Sequence, residues 1–299
     1  MVLGPLRLGV MTMHWLPGGD FRLDGGGIFG PVPKTSWQRR WPAAADNTLR
    51  LCNDPLLVDT GRDLLVVDGG LGDALSPRLR EEYRVTAPWA LPKRLAALGI
   101  ECGDIGHVVI THGDFDHVGG LVRSTGSGRE ATFPNAIHYM QRREWHDMRA
   151  PHPRSAGACD AAILDVLPAG RLELVDEEAE ICPGVVLRHS GGHTRGHQVV
   201  ELHTGAGLAL CPADLMPTHC HGRPLWQCAY DSEPLVVVDR KIEYLARYDE
   251  NTWYLLYHDP YVRAMRLGPK GEVRETWPMP WPEVAALIAR EVAGGEAPA

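Results

Sequence analysis

The sequence has no C-x-x-C pair and no regular spacing of cysteines. An odd, scattered set argues against both a disulfide framework and a thiolate zinc cluster. We interpret these residues as small buried side chains in a reducing compartment. The seven cysteines are Cys52, Cys102, Cys159, Cys182, Cys211, Cys220 and Cys228.

A long apolar run and a surplus of positive charge are also missing. No segment approaches the roughly 20 apolar residues that span a bilayer. The first 16 residues are interrupted by Arg7 and His14, and no cleavage-site pattern follows. The net charge of -8 disfavours a nucleic-acid binder. We therefore expect a cytoplasmic protein without a membrane or nucleic-acid partner.

What the chain does have is enough apolar residues for a sizeable core, 44% of 299. No linker or repeat divides it, so we predict one domain of mixed strands and helices over residues 1–299. Residues 17–45 are rich in glycine, proline and aromatic residues without a regular period, which predicts an irregular loop or arm. Its aromatic residues argue against disorder. This arm is predicted to line a pocket or to contact a second copy in a homodimer.

A cluster of metal-binding residue types follows a predicted buried strand at 106–111. His112, Asp114, Asp116 and His117 offer four ligands within six positions. Side chains at strand ends lie on loops, where sites collect. Imidazole and carboxylate together suit Zn, Fe or Mn better than a metal that prefers thiolates.

Three further candidates each lie at or after the end of an apolar run: His193, Asp214 and His258. A single histidine in such a place is most often a hydrogen-bonded turn residue. Together with the dense cluster, and in this order, the set is far more specific than any one member.

The order of these motifs resembles the metallo-β-lactamase superfamily over nearly the whole chain. The run 191–197 reads G-G-H-T-x-G-H, and 68–70 resembles that family's turn before its first helix. Segments 23–34, 213–221 and 257–259 resemble the YtnP-like lactonase branch, which is regarded as quorum-quenching. The resemblance implies an α/β (α+β) fold, an αββα sandwich of two mixed sheets with helices on the outer faces.

The resemblance also implies a dinuclear metal site and a reaction. The first ion would be held by His112, residue 114 and His193, and the second by Asp116, His117 and His258. Asp214 would bridge both ions. Zinc is the metal that the resemblance favours for both. A metal-bound hydroxide would open a lactone or cleave a carboxylic ester, and Asp116 would pass a proton to the leaving oxygen.

One ligand position departs from the family, which has a histidine where this chain has Asp114. The oxygens of aspartate lie as far from Cβ as Nδ1 of histidine, so Asp114 can reach a metal. A harder ligand shifts the preference toward Mn or Fe. The alternative is a weakened or empty first site, and a mononuclear or inactive protein.

Four residues are predicted to contact substrate: Phe29, His219, His221 and Trp226. For the two histidines, ordinary loop residues are an equal alternative. Pro217 stands where better-known lactonases have a tyrosine that holds the lactone carbonyl, so this contact must come from elsewhere or from the metal alone.

The partner is expected to be a small ester or lactone. Two alternatives stay open: a phosphoester or organophosphate hydrolase of the same fold, and a catalytically weak protein that binds metal or ligand.

Overall fold

The computed structural model describes residues 4–126 and 128–292. These residues include 18 strands and eight α-helices. The strands are β1 Leu6–Leu8, β2 Met11–Trp15, β3 Asp20–Asp24, β4 Thr48–Cys52, β5 Leu56–Asp59, β6 Leu64–Val67, β7 His107–Val109, β8 Val122–Thr125, β9 Gly128–Ala131, β10 Ile137–Gln141, β11 Leu172–Val175, β12 Glu178–Cys182, β13 Val185–His189, β14 Gln198–His203, β15 Leu208–Cys211, β16 Trp253–Leu255, β17 Ala264–Leu267 and β18 Val273–Trp277. The helices are α1 Gly25–Phe29, α2 Lys34–Trp37, α3 Pro77–Glu82, α4 Leu91–Ala97, α5 Phe115–Val118, α6 Arg142–Arg149, α7 Pro234–Arg247 and α8 Trp281–Val292.

Fourteen of the strands form two seven-stranded mixed sheets, and β3 with β4 and β8 with β9 form two-stranded sheets. The first has the order β1-β2-β5-β6-β7-β10-β11, and the second runs from β12 to β18 in sequence order. In the first sheet β7 lies between β6 and β10 and is parallel to both. In the second, β15 and β16 are parallel. Parallel neighbours place their carboxyl ends at the same edge of a sheet. The segments after β7, β15 and β16 carry the candidate ligands except His193, which follows β13.

Three apolar clusters fill the layers between and outside the sheets. Because alternate residues of a strand face opposite sides, Val199 and Val200 of β14 enter different clusters. The middle cluster joins the two sheets, for example Val109 with Val200. The outer clusters cover the first sheet with α4 and α6, and the second sheet with α1, α2, α7 and α8. The αββα sandwich is therefore confirmed.

One local prediction is wrong. Residues 17–45 are not irregular throughout, since they contain β3, α1 and α2, and β3 pairs with β4. The aromatic side chains of this segment are buried in the chain's own outer core, each at most 2% exposed: Phe21, Phe29, Trp37 and Trp41.

Within the described residues, the longest helices are too short or too polar to cross a bilayer.

Candidate metal centre

The predicted ligands come together at the edge where the two sheets meet. Three of them are entirely or almost entirely buried: His112, His117 and His193 have side chains 0%, 0% and 2% exposed. Backbone strain helps to place another, since Ala213, before Asp214, has a φ of +43° that non-glycine residues rarely adopt.

Two groups of three ligands result. In the first, one side-chain atom each of His112, His193 and Asp214 lies within 4.8 Å of the others. In the second, the same holds for Asp116, His117 and His258. These are the compositions that the resemblance implied, apart from Asp114.

Asp214 lies between the groups and faces both. Its Oδ2 is 3.5 Å from Nε2 of His193 in the first group. Its Oδ1 is 3.3 Å from Nε2 of His117 and 3.1 Å from Nε2 of His258 in the second. A carboxylate with one oxygen toward each group has the geometry of a bridging ligand.

Asp114 lies beside the first group without being one of its three closest members. Its Oδ2 is 3.3 Å from Nε2 of His193 and 3.7 Å from Nε2 of His112. Its side chain is 23% exposed, more than that of any other candidate ligand. The carboxylate thus takes the side of the first group that opens toward solvent.

The orientation of the imidazoles fits divalent metal ions. His117 Nδ1 donates to Asp68 Oδ2 at 2.9 Å, and His258 Nδ1 donates to the carbonyl of Cys52 at 2.8 Å. His193 Nδ1 donates to Asp231 Oδ1 at 2.8 Å. With the proton fixed on Nδ1, each Nε2 keeps its lone pair for a metal.

His112 follows the same pattern through a relay. The hydroxyl of Thr111 donates to Asp68 Oδ2 at 2.8 Å, so its oxygen accepts from His112 Nδ1 at 3.0 Å. His112 Nε2 is buried without a hydrogen-bond partner among the described atoms. His117 Nε2 and His258 Nε2 face each other at 3.1 Å, so two lone pairs oppose one another. A cation is the partner that these atoms require.

The electrostatics of the site agree with this. Burial alone would lower the pKa of His117, but the carboxylates of Asp214 and Asp68 raise it well above its ordinary value. Burial and the neighbouring His117 lower the pKa of His112 well below its ordinary value. The cluster therefore stabilises added positive charge at its centre and disfavours it at His112, as expected for a site that holds cations.

The metal groups lie at the floor of a cavity of about 530 Å³. Asp114, Asp116, His193, Asp214 and His258 contribute the floor. The apolar part of its wall is formed by Phe21, Leu23, Ile28, Leu51, Tyr83 and Phe115, and the polar part includes Arg154, Ser155, Thr194, Thr218, Tyr230 and Ser232.

The four residues predicted to contact substrate do not line this cavity. Phe29 stacks between His221 and Trp37, with centroid distances of 5.3 and 5.0 Å, and Trp226 meets its edge. His219 is buried against Trp41. His221 contacts a residue of the cavity wall, since its Nε2 donates to the carbonyl of Ile28 at 2.9 Å.

Sequence reasoning missed most of the actual wall. Two signals were available for part of it. Phe115 lies inside the metal motif itself, and Phe21 and Leu23 alternate on one face of β3. No local pattern marks Leu51, Tyr83 or Arg154, which reach the cavity only through the fold.

Known proteins resemble this chain in sequence and in structure. A family described as "Metallo-beta-lactamase superfamily" matches residues 53–258. An N-acyl homoserine lactonase of Bacillus sp. is 30% identical over 159 residues, 50% of this chain and 54% of that protein. The chain thus spans about half the length of the curated relatives that it matches.

Solved structures match over a larger part of the chain. A crystal structure described as a probable metal-dependent hydrolase from Staphylococcus aureus has a TM-score of 0.83 and 31% identity, and the match covers 91% of this chain and 98% of that one. A structure of AidC, described as a dizinc quorum-quenching lactonase in complex with a product, has a TM-score of 0.75, with 93% and 98% covered. Its identity of 20% makes it evidence for the fold alone.

Proposed function

Because the chain belongs to the metallo-beta-lactamase superfamily, we propose that it is a metal-dependent hydrolase that opens lactones or cleaves carboxylic esters. The observation that carries the proposal is the pair of three-ligand groups on the floor of one cavity, with Asp214 between them. The likeness to an N-acyl homoserine lactonase supports the lactone as substrate class.

We assign one divalent ion to each group. His112, His193 and Asp114 would hold the first, Asp116, His117 and His258 the second, and Asp214 both. Zinc suits the imidazole and carboxylate donors, whereas Asp114 makes Mn or Fe a better match for the first group. When bound, such ions lower the pKa of water and polarise a carbonyl oxygen.

The chain's own side chains would then position the substrate and move a proton. The apolar wall around Phe21 and Leu23 would hold an acyl arm, since burying each methylene contributes about 0.8 kcal/mol. Asp116 would take the proton that the attacking water gives up and deliver it to the leaving oxygen, because its carboxylate lines the cavity, 3.7 Å from Nε2 of His258. Asp214 would stay ionised, since His258 and His117 hold its pKa well below the ordinary range against the effect of burial.

The decisive experiment combines metal analysis with turnover. The chain is purified without added metal, its Zn, Mn and Fe are counted by elemental analysis, and hydrolysis of acyl lactones is followed by pH-stat. We expect about two ions per chain and hydrolysis that improves with acyl length, because the wall is apolar.

Matched phosphotriester and phosphomonoester substrates serve as comparison, and the expected result is a strong preference for the lactones. Full occupancy with no hydrolysis of any ester or lactone would contradict the proposed activity. One ion or none after Zn, Mn or Fe(II) addition would contradict the two-metal site.

We also propose a cytoplasmic location and a homodimer. All seven cysteines are free, as expected in a reducing compartment. Sedimentation at several concentrations tests the dimer, and a constant monomer mass would contradict it.

A further inference from the structure

Helix α6 lies directly against both loops that carry the first metal group. A Cβ on Gly113, between His112 and Asp114, would lie 2.5 Å from the Met148 side chain. A Cβ on Gly196, in the loop after His193, would lie 2.2 Å from the backbone nitrogen of Glu144. Only glycine permits this close approach, so the two loops meet on one helix.

One buried carboxylate of that helix binds both loops. Glu144 Oε1 accepts from the backbone N–H of Gly113 at 2.7 Å. Its Oε2 accepts from the Thr194 hydroxyl at 2.6 Å and from the backbone N–H of Gly196 at 3.2 Å. Both oxygens are therefore used, and each is attached to a different loop.

Glu144 has an unusual position for an acidic residue. It is 3% exposed, and it takes part in none of the ion pairs found among residues 4–126 and 128–292. Burial raises its pKa to about 7, although the bonds from Thr194 and Gly113 oppose the shift. A carboxylate that is buried without a cation costs stability, and its hydrogen bonds offset part of the lost solvation.

We propose that Glu144 is the positioning residue of the first metal group: it fixes the loops of His112, Asp114 and His193 relative to one another and so sets the affinity of that group for its ion. The proposal rests on the metal-dependent function above. The second group does not use this contact, since His117 is attached to Asp68 and His258 to the carbonyl of Cys52. Glu144 should therefore act on one ion and not on the other.

The test is stepwise metal removal from the purified, metal-loaded full chain. Wild type, Glu144→Gln and Thr194→Val are equilibrated with increasing chelator, and the zinc that remains is counted by elemental analysis. In Glu144→Gln an amide NH₂ faces N–H donors, so one loop loses its partner. We expect one equivalent of zinc to leave at roughly 10- to 100-fold lower chelator, as for other groups that orient ligands. The second equivalent should leave as in wild type.

Thr194→Val removes one of the three donors and keeps the carboxylate, so a smaller shift of the same step is expected. It also decides the question if Glu144→Gln does not fold. The matched control is Asp147→Asn, one turn further along α6, whose carboxylate pairs with Arg195 at the surface. This variant should release zinc as wild type does.

Two results would overturn the role of Glu144. One is that both equivalents of zinc leave in parallel. The other is that Glu144→Gln and Thr194→Val both release zinc at the same chelator concentration as Asp147→Asn. Fewer than two ions in the wild type would instead overturn the proposed two-metal function. Thermal unfolding of the metal-free proteins separates a general loss of stability from a selective change in metal affinity.

Discussion

In the second metal group His117 lies against the aromatic core, whereas in the first group Asp114 lies between two cavities. Tyr257 stacks on His117 with centroids 4.2 Å apart, and its hydroxyl donates to the carbonyl of Asp116 at 2.7 Å. Asp114, by contrast, lines both the main cavity and a neighbouring one of about 520 Å³. The second group thus has an aromatic ring packed against one ligand, whereas the first has a ligand with open space on two sides.

This difference suggests a division of roles between the two ions. Ligands fixed by packing lose little entropy when they bind, so the second group should hold its ion more tightly. Loops that border two cavities can vary without disturbing the core. Asp114, at the position where the family motif has a histidine, lies on the side that borders both cavities.

The largest effect is expected at the ligand that the two groups share. Asp214→Asn removes the charge that faces His193 on one side and His117 and His258 on the other. We expect the loss of both ions and a fall in lactone hydrolysis of at least about 1000-fold, measured by elemental analysis and pH-stat. A variant that keeps one ion at full affinity would show that Asp214 belongs to one group alone.

A smaller and one-sided effect is expected at Asp114. Asp114→Ala should leave about one ion per chain, because the second group does not depend on it. Asp114→His should restore two ions and shift the preference from Mn or Fe toward Zn. Competition between these metals, with elemental analysis as the readout, tests both. An unchanged stoichiometry and affinity in Asp114→Ala would exclude coordination by this residue.

The residues that orient the ligands should divide in the same way. Asp68 accepts from His117 directly and from His112 through Thr111, whereas Asp231 orients His193 alone. Asp68→Asn should therefore weaken both ions, and Asp231→Asn only the first, by about 10- to 100-fold each. Chelator titration reads the two steps separately. Equal effects of the two variants on both ions would remove the distinction between the groups.

The sequence identified the side chains that the fold brings together, because they stand in dense, ordered motifs at strand ends. The αββα architecture followed from the same resemblance. The supporting residues could not be found in this way. Glu144 lies 31 residues from Gly113 and 52 from Gly196, and only the packing of α6 brings them together.

The residues predicted to contact substrate lie outside the cavity lining for a related physical reason. Phe29, His219 and His221 were chosen because aromatic and imidazole groups near the ligands suit a pocket. An aromatic ring gains as much from burial in a stacked layer as from facing a cavity, so residue type alone does not distinguish the two positions. The register of β3 and the course of the loop at 226–232 decide which side chains reach the cavity.

His138 differs from the histidines of both metal groups, and its substitution gives the smallest expected effect. It lies in β10 between β7 and β11, fully buried, and neither ring nitrogen makes a hydrogen bond of good geometry with the described residues. Burial lowers its pKa to about 4, although the backbone of Arg171 and of Ala136 opposes the shift. Strand histidines thus look alike in sequence, but only those at the strand ends have an Nδ1 acceptor and a free Nε2 directed at a shared centre.

His138→Leu should raise the free energy of unfolding by about 1 kcal/mol at pH 7, because a buried polar ring without well-formed hydrogen bonds is removed. The difference should grow as the pH falls from 6.5 toward 4. In that interval the unfolded wild type binds a proton at His138 while the folded protein does not, so acid shifts the wild type toward unfolding. Urea unfolding of both proteins at pH 7 and pH 5 measures this, and the metal-binding histidines cancel because both proteins contain them. If the difference in the free energy of unfolding is the same at the two pH values, the pKa of His138 is not lowered in the folded chain. Burial would then not distinguish His138 from the histidines of the site.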